Sequence, residues 1–290
     1  MIIVQLTGGL GNQLFQYAMG RMLALKHNTQ LKLDISFFET YEWHEYSLAP
    51  FLLEAVVASK AEVHDMVKKN NRYCERLKQR IFKTQPIVIN EKSLEFNSSY
   101  LQIRNNRYLI GYWQSEKYFI NIESFLRKEL MIKIEPSAIN LQILKEIKTN
   151  NQSVSLHIRR GNYVNVESVN KVHGTTKLNY YYEAIKTIAK ICEQPVFYIF
   201  SDDINWAKEN LKLSYKHVYI DHNSAKKDYE DLRLMSACKH NILANSTFSW
   251  WGAWLNVNKE KIIIAPREWF ADPEKNKESE SIIPKTWVRL

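Results

Sequence analysis

Apolar residues recur along this chain in two rhythms. Short continuous runs, Ile2-Ile3-Val4, Val154 to Ile158, Val196 to Phe200, Asn241 to Ala244 and Ile262 to Ala265, read as buried strands. Between them, apolar residues return at helical spacing. Leu14, Tyr17, Ala18, Met22 and Leu25 mark a helix ending near His27, and Tyr181, Ile185, Ile188 and Ile191 mark another over Asn179–Cys192. Helices are also predicted over Ile122–Leu130, Ile204–Leu211, Asp228–Cys238 and Trp250–Leu255, and strands over Leu31–Asp34, Leu109–Ser115 and His217–Ile220. Alternating strands and helices with apolar strands predict parallel sheets covered on both faces. The polar stretch Lys148–Gln152 is the expected linker, dividing the chain into 1–150 and 151–290.

At 290 residues each half is long enough to bury a core. Three scattered cysteines (Cys74, Cys192, Cys238) make neither a disulfide framework nor a zinc site and point to a reducing compartment. No apolar run approaches the ~20 residues of a membrane span, and the N-terminus lacks a signal-peptide layout. A cytoplasmic location is therefore expected, with the sequons at Asn97, Asn151 and Asn245 unused. The net charge is +9, and the excess of cations in the first half lies between Lys60 and Lys83, where 8 cations face 3 anions. This segment reads as a basic helix whose plain role is a solvated face. Its sharper role is peripheral contact with an anionic membrane or a phosphate-bearing substrate. No nucleic-acid motif accompanies it.

Candidate chemistry gathers where strands end. Thr7-Gly8-Gly9-Leu10-Gly11-Asn12 joins the first strand to the first helix, a layout that brings backbone N–H groups and a helix N-terminus to a phosphate. Its spacing is neither G-x-G-x-x-G nor a P-loop, which disfavours a dinucleotide oxidoreductase with Asp34 on a ribose. Aromatics over 36–55 (Phe37, Phe38, Tyr41, Trp43, Tyr46, Phe51) suit sugar rings or a core equally. The strand 153–158 runs into Arg159-Arg160-Gly161-Asn162. Two guanidinium forks there match phosphate oxygens, or else pair with a neighbouring Asp or Glu. Ser201-Asp202-Asp203 supplies an acid for a ribose hydroxyl or guanine N–H groups. Asn245-Ser246-Thr247-Phe248-Ser249 puts hydroxyls at a helix N-terminus, as caps or as a phosphate seat. Together these read as a nucleotide-diphosphate site.

Four segments in order, GGLGNQLFQYA, HIRRGNY, FSDDINWAKENL and LANSTFSWWGAWLN, resemble the motifs of the glycosyltransferase family 11 fucosyltransferases, from Ile2 to about Trp254. The resemblance implies an α/β, GT-B-like fold of two Rossmann-like domains facing across a cleft, with acceptor binding helped by the first and the GDP-sugar held by the second. It implies inverting, metal-independent transfer of fucose from GDP-fucose to the 2-hydroxyl of a galactoside, in the assembly of a surface polysaccharide on a lipid-linked, galactose-terminated acceptor. By resemblance Arg159 meets the β-phosphate with Arg160 in support. His157 and Asp202 lie at guanine or ribose, Ser246, Thr247 and Phe248 line the pyrophosphate, and Asn12 approaches the donor from the first domain. Glu167 is the general base by analogy with a carboxylate on this loop in related fucosyltransferases, with Glu39 and Asp34 as rivals. The chain departs from the family pattern at Asn162, where Asp is usual. A catalytically silent GDP-sugar-binding protein and a transferase using another nucleotide sugar are the alternatives.

Overall fold

The computed structural model describes residues 1–41, 43–72, 79 and 81–290. They form two compact units, Met1–Lys133 and Ile134–Leu290.

The first unit is a five-stranded parallel sheet of order β3-β2-β1-β5-β4. Its strands are β1 (Ile2–Gln5), β2 (Leu31–Asp34), β3 (Val56–Val57), β4 (Val88–Asn90) and β5 (Arg107–Ile110). Ile2, Ile3 and Val4 are apolar in succession because β1 is central and covered on both faces. Helix α1 (Leu10–Lys26) crosses β1 so closely that a β-carbon on Gly20 would sit 2.4 Å from Val4 Cγ2. Helix α2 (Lys60–Asn71) opens with a Ser59/Glu62 capping box. The expected basic helix is thus helical over its first half, while 73–78 and 80, with Cys74, lie outside the described residues.

Helix α3 (Glu123–Glu129) ends in a buried carboxylate. Glu129 accepts from the Tyr17 hydroxyl and from Arg21 Nε and Nη2 at 2.7–3.0 Å. Burial, then Glu129, pushes the Tyr17 phenol upward. Glu129→Ala strips the partly buried Arg21 guanidinium of its carboxylate and leaves the buried Tyr17 hydroxyl only its bond from Glu54 N (3.1 Å), and should cost about 1–3 kcal/mol. Urea unfolding measures this; a loss below about 0.5 kcal/mol would mean that the network is not holding α3 to α1.

Asp34 ends β2 as expected but has no free carboxylate. Its Oδ2 accepts from the Tyr108 hydroxyl (2.6 Å), its Oδ1 accepts from Ser36 N (3.0 Å), and it is 2% exposed. It stitches β2 towards β5, which removes it as a base or a ribose ligand.

The second unit is a six-stranded parallel sheet of order β11-β10-β9-β6-β7-β8. Its strands are β6 (Ser153–Ile158), β7 (Val196–Ser201), β8 (His217–Ile220), β9 (His240–Ile242), β10 (Ile263–Ala265) and β11 (Val288–Arg289). Counted from β6, this is the doubly wound order 3-2-1-4-5-6. Helix α4 (Ala138–Thr149) precedes the sheet, followed by α5 (Gly161–Asn165), α6 (Glu167–His173), α7 (Leu178–Ala189), α8 (Ile204–Asn210), α9 (Asp228–Ala237), α10 (Thr247–Leu255) and α11 (Pro273–Glu278). Leu156 and Ile158 pack with Tyr181, Ile185 and Ile188 of α7 in one core. Tyr198, Phe200 and Ile220 pack with Ile147 of α4 and with Leu234 and Met235 of α9 in another.

The units divide at 133/134 rather than at 150/151. The polar stretch 148–152 is not a linker. It is the turn from α4 into β6, closed by Ser153 N to Asn150 O (3.2 Å) and Gln152 N to Asn150 Oδ1 (2.9 Å). Helix α10 begins at Thr247, earlier than expected, because the Ser246 hydroxyl caps it by accepting from Phe248 N (3.3 Å).

Candidate active site

In an open parallel sheet, ligands sit at the carboxyl ends of strands where the strand order reverses. In the second unit that point lies between β6 and β9. The chain leaves β6 through Arg159-Arg160 and leaves β9 through Asn245-Ser246 into α10. Both candidate motifs therefore emerge at the switch point.

The arginines are held, not loose. Arg159 Nη1 pairs with Asp202 Oδ2 at 2.9 Å, and its guanidinium lies 5.2 Å from the Tyr163 ring. Asp202 Oδ1 accepts from the backbone N of Arg160 at 2.8 Å. Arg160 Nε donates to Asp203 Oδ2 (3.2 Å), and its guanidinium stacks 3.8 Å above Trp206. Asp203 also caps α8 by accepting from Trp206 N (3.2 Å), which fixes the clamp on a helix end. Gly161 is required by this packing, since a β-carbon there would lie 2.3 Å from Asp202 Oδ2. Asp202, expected at guanine or ribose, is thus placed between the two arginines.

His157 is 5% exposed, with its ring edge-on to Phe248 at 5.6 Å. Burial, then the Arg159 charge, pushes its pKa down to about 3, so the imidazole is neutral at working pH. Its Nδ1 is buried without a hydrogen-bond partner. An orphaned ring nitrogen beside a cation is a ready partner for a ligand's polar atom.

Four residues without a role in the sequence analysis complete the wall. Tyr163 stacks on His173 (4.6 Å, 18°), which meets Phe270 at 5.1 Å. Asn245 is buried and donates to His173 O (3.0 Å) and Trp269 O (3.3 Å) while accepting from Thr176 Oγ1 (3.0 Å). It pins the loop before Ser246 to the end of α6. Tyr163 and Asn245 stood inside the quoted motifs; His173 and Phe270 carry no local signal.

A second cluster without a role in the sequence reading lies past β8. Asp228 and Asp231 open α9, and Asp231 Oδ1 accepts from Asn223 Nδ2 (2.7 Å), which is tied to Asn140. Burial pushes both carboxyls up to about 7. Each is then protonated in the folded state at a pH where the unfolded chain has lost the proton. Their contribution to stability is full below about pH 4 and is lost as pH rises through 7. Asp231→Asn should flatten that loss. Thermal melts from pH 5 to 8 read it, and parallel curves for both proteins would contradict it.

Glu167 is exposed at the first position of α6. Its rival Glu39 is an exposed partner of Lys60 (2.7 Å). In the first unit, Asn12 stands in the first turn of α1 and accepts from Gln114 Nε2 (3.0 Å). Gly8, at φ +72°, admits this side chain, since a β-carbon would lie 2.6 Å from Asn12 Nδ2. The Gln16 amide ties the loops after β1 and β5 together, meeting Thr7 at its N–H (2.9 Å) and hydroxyl (3.0 Å) and donating to Gly111 O (3.0 Å). Among the described residues no three His, Cys, Asp or Glu side chains gather into a metal site. No described helix is long and apolar enough to cross a membrane.

Two Rossmann-like parallel sheets, the second carrying clamped arginines beside a capped helix N-terminus, define a GT-B-like α/β glycosyltransferase. The chain belongs to glycosyl transferase family 11, whose family model matches residues 1–290. It is 35% identical to the alpha-1,2-colitosyltransferase of Escherichia coli, over 100% of this chain and 99% of that one. It is 32% identical to the Escherichia coli O-antigen biosynthesis glycosyltransferase WbnK, over 98% and 99%. Among solved structures it is similar in fold to the Bradyrhizobium NodZ alpha-1,6-fucosyltransferase soaked with GDP-fucose, with a TM-score of 0.53, 14% identity and coverage of 88% and 92%.

Proposed function

We propose that this protein transfers fucose from GDP-fucose to the 2-hydroxyl of a galactoside, inverting the anomeric carbon and using no metal. The observation that carries the reading is the arginine pair at the end of β6, held by Asp202 and Asp203 beside the N-terminus of α10. Breaking the bond between sugar and diphosphate puts negative charge on the leaving group. Arg159 supplies a bidentate cation for it, and the Ser246-Thr247 turn supplies N–H groups and the positive end of a helix. Asp202 keeps Arg159 oriented before the diphosphate arrives, so little reorganisation remains at the moment of reaction. The orphaned His157 nitrogen hydrogen-bonds the nucleoside, and Phe248 packs its edge. Glu167 takes the proton of the acceptor hydroxyl.

A second reading keeps the chemistry and changes the sugar. The alpha-1,2-colitosyltransferase relative favours it, since colitose is fucose without its 3-hydroxyl. Discrimination then rests on whether a side chain hydrogen-bonds that hydroxyl, which is worth up to about 10⁴-fold when it does. Assays with GDP-fucose and GDP-colitose on one galactoside in EDTA, with the product linkage read by NMR, decide. An α-1,2-fucosyl product with GDP-fucose preferred supports the first reading. Preference for GDP-colitose selects the second, and GDP binding without product from either sugar selects a catalytically silent protein.

The acceptor in this reading is lipid-linked and the protein works on the cytoplasmic face of the membrane. The exposed side chains Lys68, Lys69, Arg72 and Lys83, with Ile81 at 60% and Phe82 at 73% exposure, suit an anionic surface. The buried free thiols Cys192 and Cys238 suit a reducing compartment.

A further inference from the structure

The strand order of the first unit reverses between β1 and β5, so it has a switch-point crevice of its own. The loop after β5 is held there in a costly shape. Trp113 takes φ +57°, a left-handed conformation that non-glycine residues rarely adopt. The Glu91 carboxylate over-determines it, accepting from the backbone N–H groups of Tyr112 (2.6 Å) and Trp113 (3.1 Å). The result buries the Trp113 indole completely and leaves the neighbouring Tyr112 ring 40% exposed.

A second group of rings stands at the same strand ends. His44 lies over the glycine loop after β1, where a β-carbon on Gly9 would be 3.2 Å from its ring. Tyr41 stacks on His44 (6.1 Å, 29°) and meets Trp43 at 6.4 Å. Trp43 is 51% exposed, the most exposed of the tryptophans. The loops that carry the two groups are joined at these strand ends, since Gln16 on α1 donates to Gly111 O (3.0 Å) just before Tyr112, and burial pushes the Tyr41 phenol upward. Gln114, directly after the strained residue, is buried and donates from Nε2 to Asn12 Oδ1 (3.0 Å), a second tie between the two loops.

Exposed aromatic faces with an imidazole among them are poor at holding charge and good at holding a sugar. Galactose suits such a seat better than glucose. Its axial 4-hydroxyl leaves the hydrogens of carbons 3, 4 and 5 on one uninterrupted apolar face. We infer that Trp43 and Tyr112, backed by Tyr41 and His44, seat the terminal galactoside ring of the acceptor. The inference rests on the galactoside reading above and names the residues that read the acceptor.

Saturation-transfer NMR with methyl β-galactoside and methyl β-glucoside, on protein saturated with GDP, tests it without turnover. Saturation should reach carbons 3 to 5 of the galactoside, be weaker on the glucoside, vanish in Trp43→Ala and return in Trp43→Phe. In turnover assays, Trp43→Ala and Tyr112→Ala should raise the acceptor KM about tenfold and leave the donor KM within about twofold. Equal saturation of both sugars, a signal indifferent to Trp43, or an unchanged acceptor KM would overturn it. So would GDP alone protecting Trp43 from quenching, which would make the cluster a nucleobase seat. Failure of wild-type protein to bind GDP by calorimetry sinks the donor reading instead, while the sugar signal still decides the seat.

Discussion

Arg159→Ala should lower kcat by about 10²–10³ and weaken GDP binding in parallel, because the proposed function sets its charge on the departing diphosphate. The same change frees Asp202, whose carboxylate then stands uncompensated beside the backbone N–H of Arg160. Arg159→Lys should recover little, since an ammonium cannot reproduce a planar fork that pairs with Asp202 and, in the proposed function, with phosphate oxygens as well. Side-chain exposure of 25% for Arg159 makes the fold tolerant of the change, so thermal stability should move by less than about 1 kcal/mol. Steady-state kinetics with melting curves on the same preparations measure both. Turnover within a few-fold of wild type would take Arg159 out of the chemistry.

Glu167→Gln should cost about 10²–10⁴ in kcat with the GDP affinity unchanged, the signature of a lost general base. Glu167 is solvated on the first turn of α6, so its replacement leaves no buried group unpaired. The rate lost at neutral pH should return partly as pH rises and hydroxide replaces the carboxylate. A variant within a few-fold of wild type would return Glu167 to a surface role. The base would then have to be sought elsewhere, and not at Asp34, which is bonded to Tyr108 and Ser36.

The strands were legible because a parallel sheet covered on both faces turns each strand into an unbroken apolar run, as Phe197 to Phe200 shows. The strand ends were legible because polar motifs interrupt those runs abruptly at Arg159 and Asn245. Strand order was not, since nothing local in His240-Asn241-Ile242 says that β9 pairs with β6 rather than with β8. The domain boundary was misjudged for a similar reason. The polar residues 148–152 look like a linker, but Ile147 just before them is buried against the second sheet. The ion pairs at Asp202 and Asp203 were visible only as one of two readings of the arginines, because pairing and phosphate binding call for the same residue types. The structure supplies the pairing, with Arg159 on Asp202 and Arg160 on Asp203. Contacts such as Tyr163 on His173 and Asn245 on Trp269 O join loops far apart in sequence and leave no periodic trace.

The central claim is that the end of β6 and the start of α10 together bind a guanosine diphosphate through protein cations alone. Calorimetric titration of the purified protein with GDP in excess EDTA, with UDP as comparison and Arg159→Ala as control, tests it most directly. Saturable GDP binding without metal, tighter than UDP and abolished in the variant, is the predicted result. No GDP binding by the wild type, or binding indifferent to Arg159, would contradict it.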